Sequence, residues 1–534
     1  MRGPALTGAS LWDRAIGAAL AWGLWLRGSA WWADRSLWGD EARVALNLAA
    51  RPLTEIRLPL RFEQVAPLPF LWACKLCTLL LGLDERALRL PSLIAGGVLL
   101  VGAARLARRI LTPRAAALAT LLIAVAPSLV AYSDELKPYM VDAAVSIGLM
   151  WHVLRGGGAD RRLLALGLGA VLVSFAAPFT LAAVGLALLL REGPRVLPRV
   201  LALGLCWLAV AGAQYLYASQ GATRTYLDFY FDLAYLRPGV FASRGWMNLE
   251  IFLFGLGVPM YTATTALAVA GIALGAATLA RARAWDALAL LLGPTAGIAL
   301  ASCLGIYPVA NRMILFLGAH LLLLLAAGVD AAVAALRGWA RPLGVAAVCA
   351  AALSEASHRP TFGWVTPPSG RGREAAAAIV AAVRPGDLVY VAPRAVPTWT
   401  YYTTDWTQPD RDRLEVAWRW SELLLIATPT WQPHRALREE DAVWTGTPWV
   451  EVYGGFNGTA PRWPDRSAWQ VPDPEWVPRQ LARLPGRATR PVFLDCDADT
   501  EMGCVAVKQG LEREGLRCVT LVPMAAYQCS AQTP

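Results

Sequence analysis

From about Leu11 to Leu353 apolar residues recur in runs near the ~20 residues that a helix needs to cross a bilayer, separated by short breaks rich in arginine, proline and glycine; after His358 the runs thin out. The pattern predicts spans over 15–32, 91–110, 114–131, 139–154, 163–177, 179–190, 200–217, 256–280, 286–306, 313–335 and 342–356, with a further apolar run over 66–83. Beyond them the periodicity changes. Residues 374–383 and 501–514 read as helices, and 387–391, 492–495 and 518–522 as short strands following turn signals. The expectation is a polytopic α-helical membrane domain over 1–358 and a small α/β domain over 359–534.

Composition supports that division. Charged residues make up 16% of the 534 positions and hydrophobic residues 56%, against roughly 25% charged in an ordinary soluble protein, which excludes a soluble enzyme throughout. The net charge of +10 does not point to nucleic acid, because the arginines sit in short clusters between apolar runs, as expected of cytoplasmic loops. Those clusters (Arg105 to Arg114, Arg155 to Arg162, Arg191 to Arg199, Arg281 with Arg283, Arg337 with Arg341) share one side of the membrane only if the 66–83 run does not cross. It is therefore expected to lie at the outer interface with Lys75 snorkelling to water. Met1-Arg2-Gly3 lacks the pattern of a cleaved signal peptide, so the first span is read as an anchor. About eleven spans result, with the N-terminus inside, the C-terminal domain outside, and a bacterial-type plasma membrane as the location.

The cysteines divide along the same line. Cys74, Cys77, Cys206, Cys303 and Cys349 lie in apolar runs and read as small hydrophobes. Cys496, Cys504, Cys518 and Cys529 lie in the C-terminal domain, where they either form two disulfides, by one of three pairings, in an oxidising compartment or stay as four thiols.

This topology turns three polar segments outward: the first loop, 33–90, the short Ser133–Pro138, and Ser219 to about Glu250. The first carries Gly39-Asp40-Glu41-Ala42-Arg43, which reads either as a carboxylate base at the membrane surface or as a helix start with Asp40 as N-cap. It continues through Glu63-Gln64-Val65-Ala66-Pro67-Leu68 to Arg89-Leu90-Pro91-Ser92. The second, Ser133-Asp134-Glu135-Leu136-Lys137-Pro138-Tyr139, is a second acidic pair with a cation, or a solvated polar turn. Arg312 precedes the long apolar run over 313–335 and suits either a phosphate or lipid headgroups. Arg224, Arg237 and Arg244 add cations in the third segment.

In that order and context these pieces resemble the GT-C membrane glycosyltransferases, in particular the family grouping protein O-mannosyltransferases with the aminoarabinose transferases that modify lipid A. The resemblance covers about residues 10–335. It implies a polyprenyl-phosphate-linked sugar donor, an acceptor hydroxyl in the cell envelope (lipid, polysaccharide or protein), and transfer on the extracytoplasmic face. It implies Asp40 as general base with Glu41 beside it, and Asp134 and Glu135 as the second acidic loop. Arg312, Lys137 and Arg237 are candidates for the donor phosphate, and Glu63, Arg89 and Tyr139 for substrate contacts. The sequence departs from the family pattern where Ala66 replaces a proline, where no lysine follows Glu63, and where Lys137 stands in place of an arginine.

The chemistry is self-consistent. Outside the cytoplasm no nucleotide-sugar pool exists, so the sugar must arrive already activated on a lipid phosphate, and no P-loop or dinucleotide fingerprint is expected. A general base taking the acceptor proton contributes ~10²–10⁴-fold, and a single displacement inverts the anomeric centre. No cofactor is required; a divalent cation at Asp40, Glu63 or Asp134 is compatible with the residues, and no metal ligand is assigned. The alternatives are a transporter or flippase of a lipid-linked glycan, a noncatalytic envelope scaffold, and a ligase moving a whole glycan.

Overall fold

The computed structural model describes residues 8–62, 64–218, 220, 234–236, 238–258, 262–310, 312–336, 371–384, 386–391, 395–407, 443–447, 450–454, 478, 481–482, 484, 486–496, 502–523 and 525–531. Helices occupy the apolar runs. They are α1 (Gly8–Trp32), α2 (Gly39–Ala50, in the first polar segment), α3 (Leu68–Leu81), α4 (Glu85–Ile110), α5 (Pro113–Val125), α6 (Pro127–Ala131), α7 (Tyr139–Leu154), α8 (Arg161–Val173), α9 (Ala177–Glu192), α10 (Leu197–Ala218), α11 (Pro238–Gly255), α12 (Thr262–Arg281), α13 (Trp285–Cys303) and α14 (Leu317–Ala335). Five of the described helices, α4, α10 with its preceding turn, α12, α13 and α14, are long and apolar enough to cross a membrane, and the bent pair α5–α6 makes a sixth. The span expected over 342–356 lies outside the described residues.

The described residues cluster into two compact units, one within Met1–Asp34, Ala66–Ala218 and Tyr230–Pro367, the other within Arg35–Val65 and Pro368–Pro534. The expected boundary between 358 and 359 therefore needs correction: residues 35–65 of the first loop pack with the C-terminal sheet. The reason lies in α2, whose Ala42, Val44, Ala45, Leu46 and Leu48 are buried and which packs on a helix of the C-terminal domain.

In the helical unit, the two ends of the bundle differ in chemistry. At one end Arg108 pairs with Asp13 and Arg114 with Asp330, Arg109 donates to the Leu154 carbonyl at 3.3 Å, and Arg191 donates to the Val153 carbonyl at 2.7 Å. The expected arginine clusters thus meet, and they cap helix C-termini as the helix dipole favours. At the other end of α1 and α4, Trp31 donates to the Arg86 carbonyl at 2.9 Å, and the Arg86 guanidinium lies 5.6 Å from the Trp32 ring centre and 3.8 Å from Asp34. From Arg86 to Arg108 the helix rises about 33 Å, close to the ~30 Å hydrocarbon thickness.

Two expectations about this unit are corrected. Helix α4 begins at Glu85, not Pro91, because Asp84 caps it by accepting the Ala87 amide at 2.6 Å; Pro91 sits inside the helix and Arg89 is no loop residue. Lys75 is buried and does not snorkel, and the exposed face of α3 is Trp72, Leu76, Leu79, Leu80 and Leu81; 14 residues rise only about 21 Å. The third polar segment contains α11, which buries Phe252 and Leu253, while Glu250 accepts hydrogen bonds from Trp246 at 2.6 Å and Thr262 at 2.8 Å.

The bend of 59° between α5 and α6 has a local cause. Pro127 has no N–H to give to the Ile123 carbonyl. The buried Arg27 of α1 fills the gap, donating to Ile123 O at 3.1 Å, Ala124 O at 3.0 Å and Gly23 O at 2.9 Å. Arg27→Met leaves the two α5 carbonyls without those donors, each orphaned group costing about 1–3 kcal/mol. The expected result is a clearly lower melting temperature in detergent; a variant melting with the wild type would show that the bend does not need the guanidinium.

The second unit contains a six-stranded sheet of order β2-β3-β1-β4-β6-β5, made of β1 (Leu388–Val391), β2 (Val443–Thr447), β3 (Val450–Gly454), β4 (Val492–Asp495), β5 (Leu516–Val522) and β6 (Ala526–Ala531). β1 pairs in parallel with β3 and β4, and the other pairs are antiparallel. Helices α15 (Gly372–Ala382), α16 (Val396–Thr403) and α17 (Met502–Arg513) accompany it. The α/β expectation matches at β1, β4, β5, α15 and α17, whereas β2, β3, β6 and α16 were not anticipated. Cys518 and Cys529 face each other across β5 and β6 and form a disulfide. Cys496 is also disulfide-bonded, and the side chain of Cys504 lies outside the described residues.

Candidate active site

In the second unit the candidate base stands at the start of α2. Trp38, in extended conformation, is the N-cap, so the helix begins at Gly39 and Asp40 is its second residue; the expectation of Asp40 as the cap is corrected. Glu41 is fully buried. Its carboxylate accepts two bonds from Arg35, at 2.7 and 3.2 Å, and one from the Trp38 amide at 3.4 Å. A bidentate guanidinium clasp of this kind neutralises the carboxylate and fixes its direction. The Asp40 side chain is 12% exposed, with the Arg43 guanidinium 4.0 Å from Oδ1. Of the adjacent pair, Glu41 is thus the structural anchor. Asn47 locks the following loop against the helix: its amide donates to Arg43 O at 2.8 Å and Arg61 O at 3.1 Å, and its oxygen accepts the Arg61 amide at 2.9 Å.

The helical unit holds the second acidic segment. Ser133, Asp134, Glu135, Leu136 and Lys137 are all at most 5% exposed, so the solvated-turn alternative does not describe them. A stripe of α4 at helical spacing, Arg89, Ser92 and Gly96, meets this turn. Ser92 donates to the Lys137 carbonyl at 3.0 Å, and a Cβ on Gly96 would overlap the Ser133 hydroxyl. Arg89 is fully buried on the same stripe. The Tyr139 ring meets Tyr132 edge-on at 5.6 Å. Two acids and two bases are thereby carried out of water together, an arrangement that persists only with mutual pairing or with charge to bind.

Two further groups went unnoticed in the sequence. Asp142, on α7 three residues past Tyr139, is buried and accepts bonds from the Ser174 hydroxyl and the Ala176 amide; a carboxylate within an apolar span was the available signal. Tyr307 precedes Arg312 in the turn between α13 and α14; its hydroxyl donates to Met313 O at 3.0 Å, and its ring meets Phe179 at 5.2 Å. Burial, with Asp142 nearby, pushes the Tyr307 phenol well above its ordinary pKa, so it remains a neutral donor. Arg312 itself lies half-buried in that turn, one turn before α14 starts.

The structure thus groups Arg89, Asp134, Glu135, Lys137 and Tyr139 in one unit and Asp40 with Glu41 in the other; Arg312 occupies a separate turn of the first. Glu63 and Arg237 lie outside the described residues, as does Arg224. Among the described residues no group of three or more His, Cys, Asp or Glu side chains is placed to hold a metal ion.

Residues 65–216 match the model of the family described as dolichyl-phosphate-mannose-protein mannosyltransferase, the stretch that contains α4 and the buried 133–137 turn. No curated protein matches the sequence. Among solved structures the chain is similar to ArnT from Cupriavidus metallidurans bound to undecaprenyl phosphate, at 16% identity over 98% of both chains with a TM-score of 0.50. It is also similar to the apo state of that protein, at 16% identity over 98% of both chains with a TM-score of 0.48. The oligosaccharyltransferase of Archaeoglobus fulgidus in complex with Zn and sulfate matches at 14% identity, over 73% of this chain and 61% of that one, with a TM-score of 0.46. Architecture and segment match agree on the fold: the chain has the GT-C fold of the solved membrane glycosyltransferase it resembles, and one segment is similar to the mannosyltransferase family. Its matched segment is the one described for protein mannosyltransferases, and its similarity over nearly the whole chain is to ArnT.

Proposed function

We propose that the protein transfers a sugar from a polyprenyl-phosphate carrier to a hydroxyl of a cell-envelope acceptor on the extracytoplasmic face, with Asp40 as general base. The observation that carries this reading is the coincidence of the family match over 65–216 with the buried charged turn Asp134–Lys137 and the α4 stripe bearing Arg89. In the reaction Asp40 takes the acceptor proton as its oxygen attacks the anomeric carbon. The bond to the lipid phosphate breaks on the opposite side, and the centre inverts. The departing phosphate gains negative charge, which preorganised cations stabilise; Lys137, Arg89 and Arg312 take that role, with Arg237 a further candidate from the sequence. Asp134 and Glu135, buried in the same turn as Lys137, offset its charge, and Tyr139 and Glu63 remain candidates for substrate contact.

Two features support this orientation. The disulfide between Cys518 and Cys529 suits an oxidising compartment for the C-terminal unit, and the arginines gathered at one end of the bundle suit the cytoplasmic side.

The test is to incubate the purified protein in vesicles with polyprenyl-phosphate sugars and envelope extracts. The expected result is a sugar covalently joined to acceptor with equimolar free polyprenyl phosphate. Movement of intact lipid-linked sugar across the bilayer, with no sugar–phosphate bond broken for any donor, would replace this reading with the flippase.

A further inference from the structure

We infer that Tyr402 and Ser36, the latter held by Glu374, are positioning residues for the base, so that the C-terminal unit holds the catalytic loop as well as any acceptor. This rests on the assignment of Asp40 as base. All the groups concerned belong to the same compact unit.

The loop that delivers Asp40 is two residues of buried chain followed by the N-cap. Ser36 and Leu37 are at most 1% exposed, and a backbone so enclosed must find its hydrogen-bond partners within the protein. The Leu37 amide and the Ser36 hydroxyl find theirs on helices more than 330 positions away in the sequence. The Leu37 amide donates to the Tyr402 hydroxyl at 2.7 Å. The Ser36 hydroxyl donates to Glu374 Oε2 at 2.6 Å and accepts the Arg373 amide at 3.3 Å. The Arg373 guanidinium in turn lies 5.9 Å from the Tyr402 ring centre, so the two attachment points are themselves joined. On the far side of Asp40, Arg35 holds Glu41, and α2 lies on α16.

Asp40 is thus fixed from both directions along the chain, with the Arg43 guanidinium 4.0 Å from its Oδ1. A backbone held on both sides sets where the carboxylate stands. The bonds at Ser36 and Leu37 lie three to four residues before Asp40, so losing one shifts the first turn of α2 without unfolding the sheet. A displacement near 1 Å at a reacting group costs on the order of 10²-fold in rate.

The experiment measures kcat and KM separately, with the full-length protein in vesicles, a polyprenyl-phosphate sugar as donor and the extract acceptor. Tyr402→Phe removes one oxygen and Ser36→Ala another. Each is expected to lower kcat by about 10-fold or more, given that sensitivity, with KM within about twofold of wild type; the orphaned Leu37 amide also lowers the melting temperature of Tyr402→Phe. Glu374→Gln keeps an oxygen for the Ser36 hydroxyl and is expected to retain kcat, whereas Glu374→Ala loses it; Glu374 is exposed, so both variants fold. Arg487→Gln, which breaks the surface pair with Glu514, is the control and leaves kcat unchanged. Wild-type kcat in Tyr402→Phe, Ser36→Ala and Glu374→Ala, alongside an inactive Asp40→Asn, overturns the inference and leaves the base in place. An active Asp40→Asn overturns the base assignment and the inference with it.

Discussion

Asp40→Asn lowers the rate of sugar transfer by about 10²–10⁴-fold, the range expected for loss of a general base, while the protein folds and melts as the wild type does. The second half of that expectation comes from the structure. The substitution is nearly isosteric, and the amide keeps an oxygen at the position of the carboxylate's long, 4.0 Å contact to Arg43. Glu41→Gln behaves in the opposite way, because it breaks the clasp by Arg35 at a fully buried site and leaves a cation without its partner. Initial rates measured with a lipid-linked donor, paired with melting curves, separate the two. If Asp40→Asn turns over within threefold of wild type, another group takes the proton.

A valine at Gly275 is expected to prevent α12 and α14 from packing, with little folded protein recovered from membranes. A Cβ at position 275 would overlap the Leu324 carbonyl oxygen, with that carbonyl's carbon at 2.8 Å and the Gly328 nitrogen at 3.0 Å. A Cβ at Gly328 would likewise overlap the Gly271 carbonyl. These neighbours are backbone of a second helix and cannot rotate away, so the helices must separate along the crossing. The cost exceeds the ~1–3 kcal/mol of ordinary overpacking. Gly271 and Gly275 form the small-residue spacing that lets membrane helices approach closely, where association comes from contact and not from the hydrophobic effect. Gly212→Val on α10, where a Cβ meets nothing within 4 Å, is the matched control. Size-exclusion profiles and melting curves in detergent check the pair; a monodisperse Gly275→Val with wild-type melting would remove close packing from the account.

The same contrast governs what could be read from the chain. Each apolar run within the described residues has its helix, because a span must satisfy its own backbone bonds and be apolar throughout, and both properties are local. Errors fall where a distant partner changes the outcome. Pro91 looked like a helix start until Asp84, seven residues earlier, was seen to cap α4. For the 133–137 turn the sequence left a charged site and a solvated turn both open, and it is buried because Gly96 and Ser92 on another helix leave room and a donor for it. Arg27 sits in an apolar run where only the break at Pro127, a hundred residues on, explains it. The strands β2, β3 and β6 are short, and short segments carry little period-2 signal.

Local sequence was therefore enough for the membrane class, the placing of most helices, the α/β character of the C-terminal part and the two acidic pairs, since each depends on residues within one or two helical turns of one another. Which carboxylate of Asp40 and Glu41 is clasped and fully buried, and that residues 35–65 join the C-terminal unit instead of the helical one, depended on the fold. Those outcomes turn on Arg35 for the carboxylate and on Tyr402 and Glu374 for the loop, and hydrogen bonds between groups far apart along the chain exist only once the chain has brought them together.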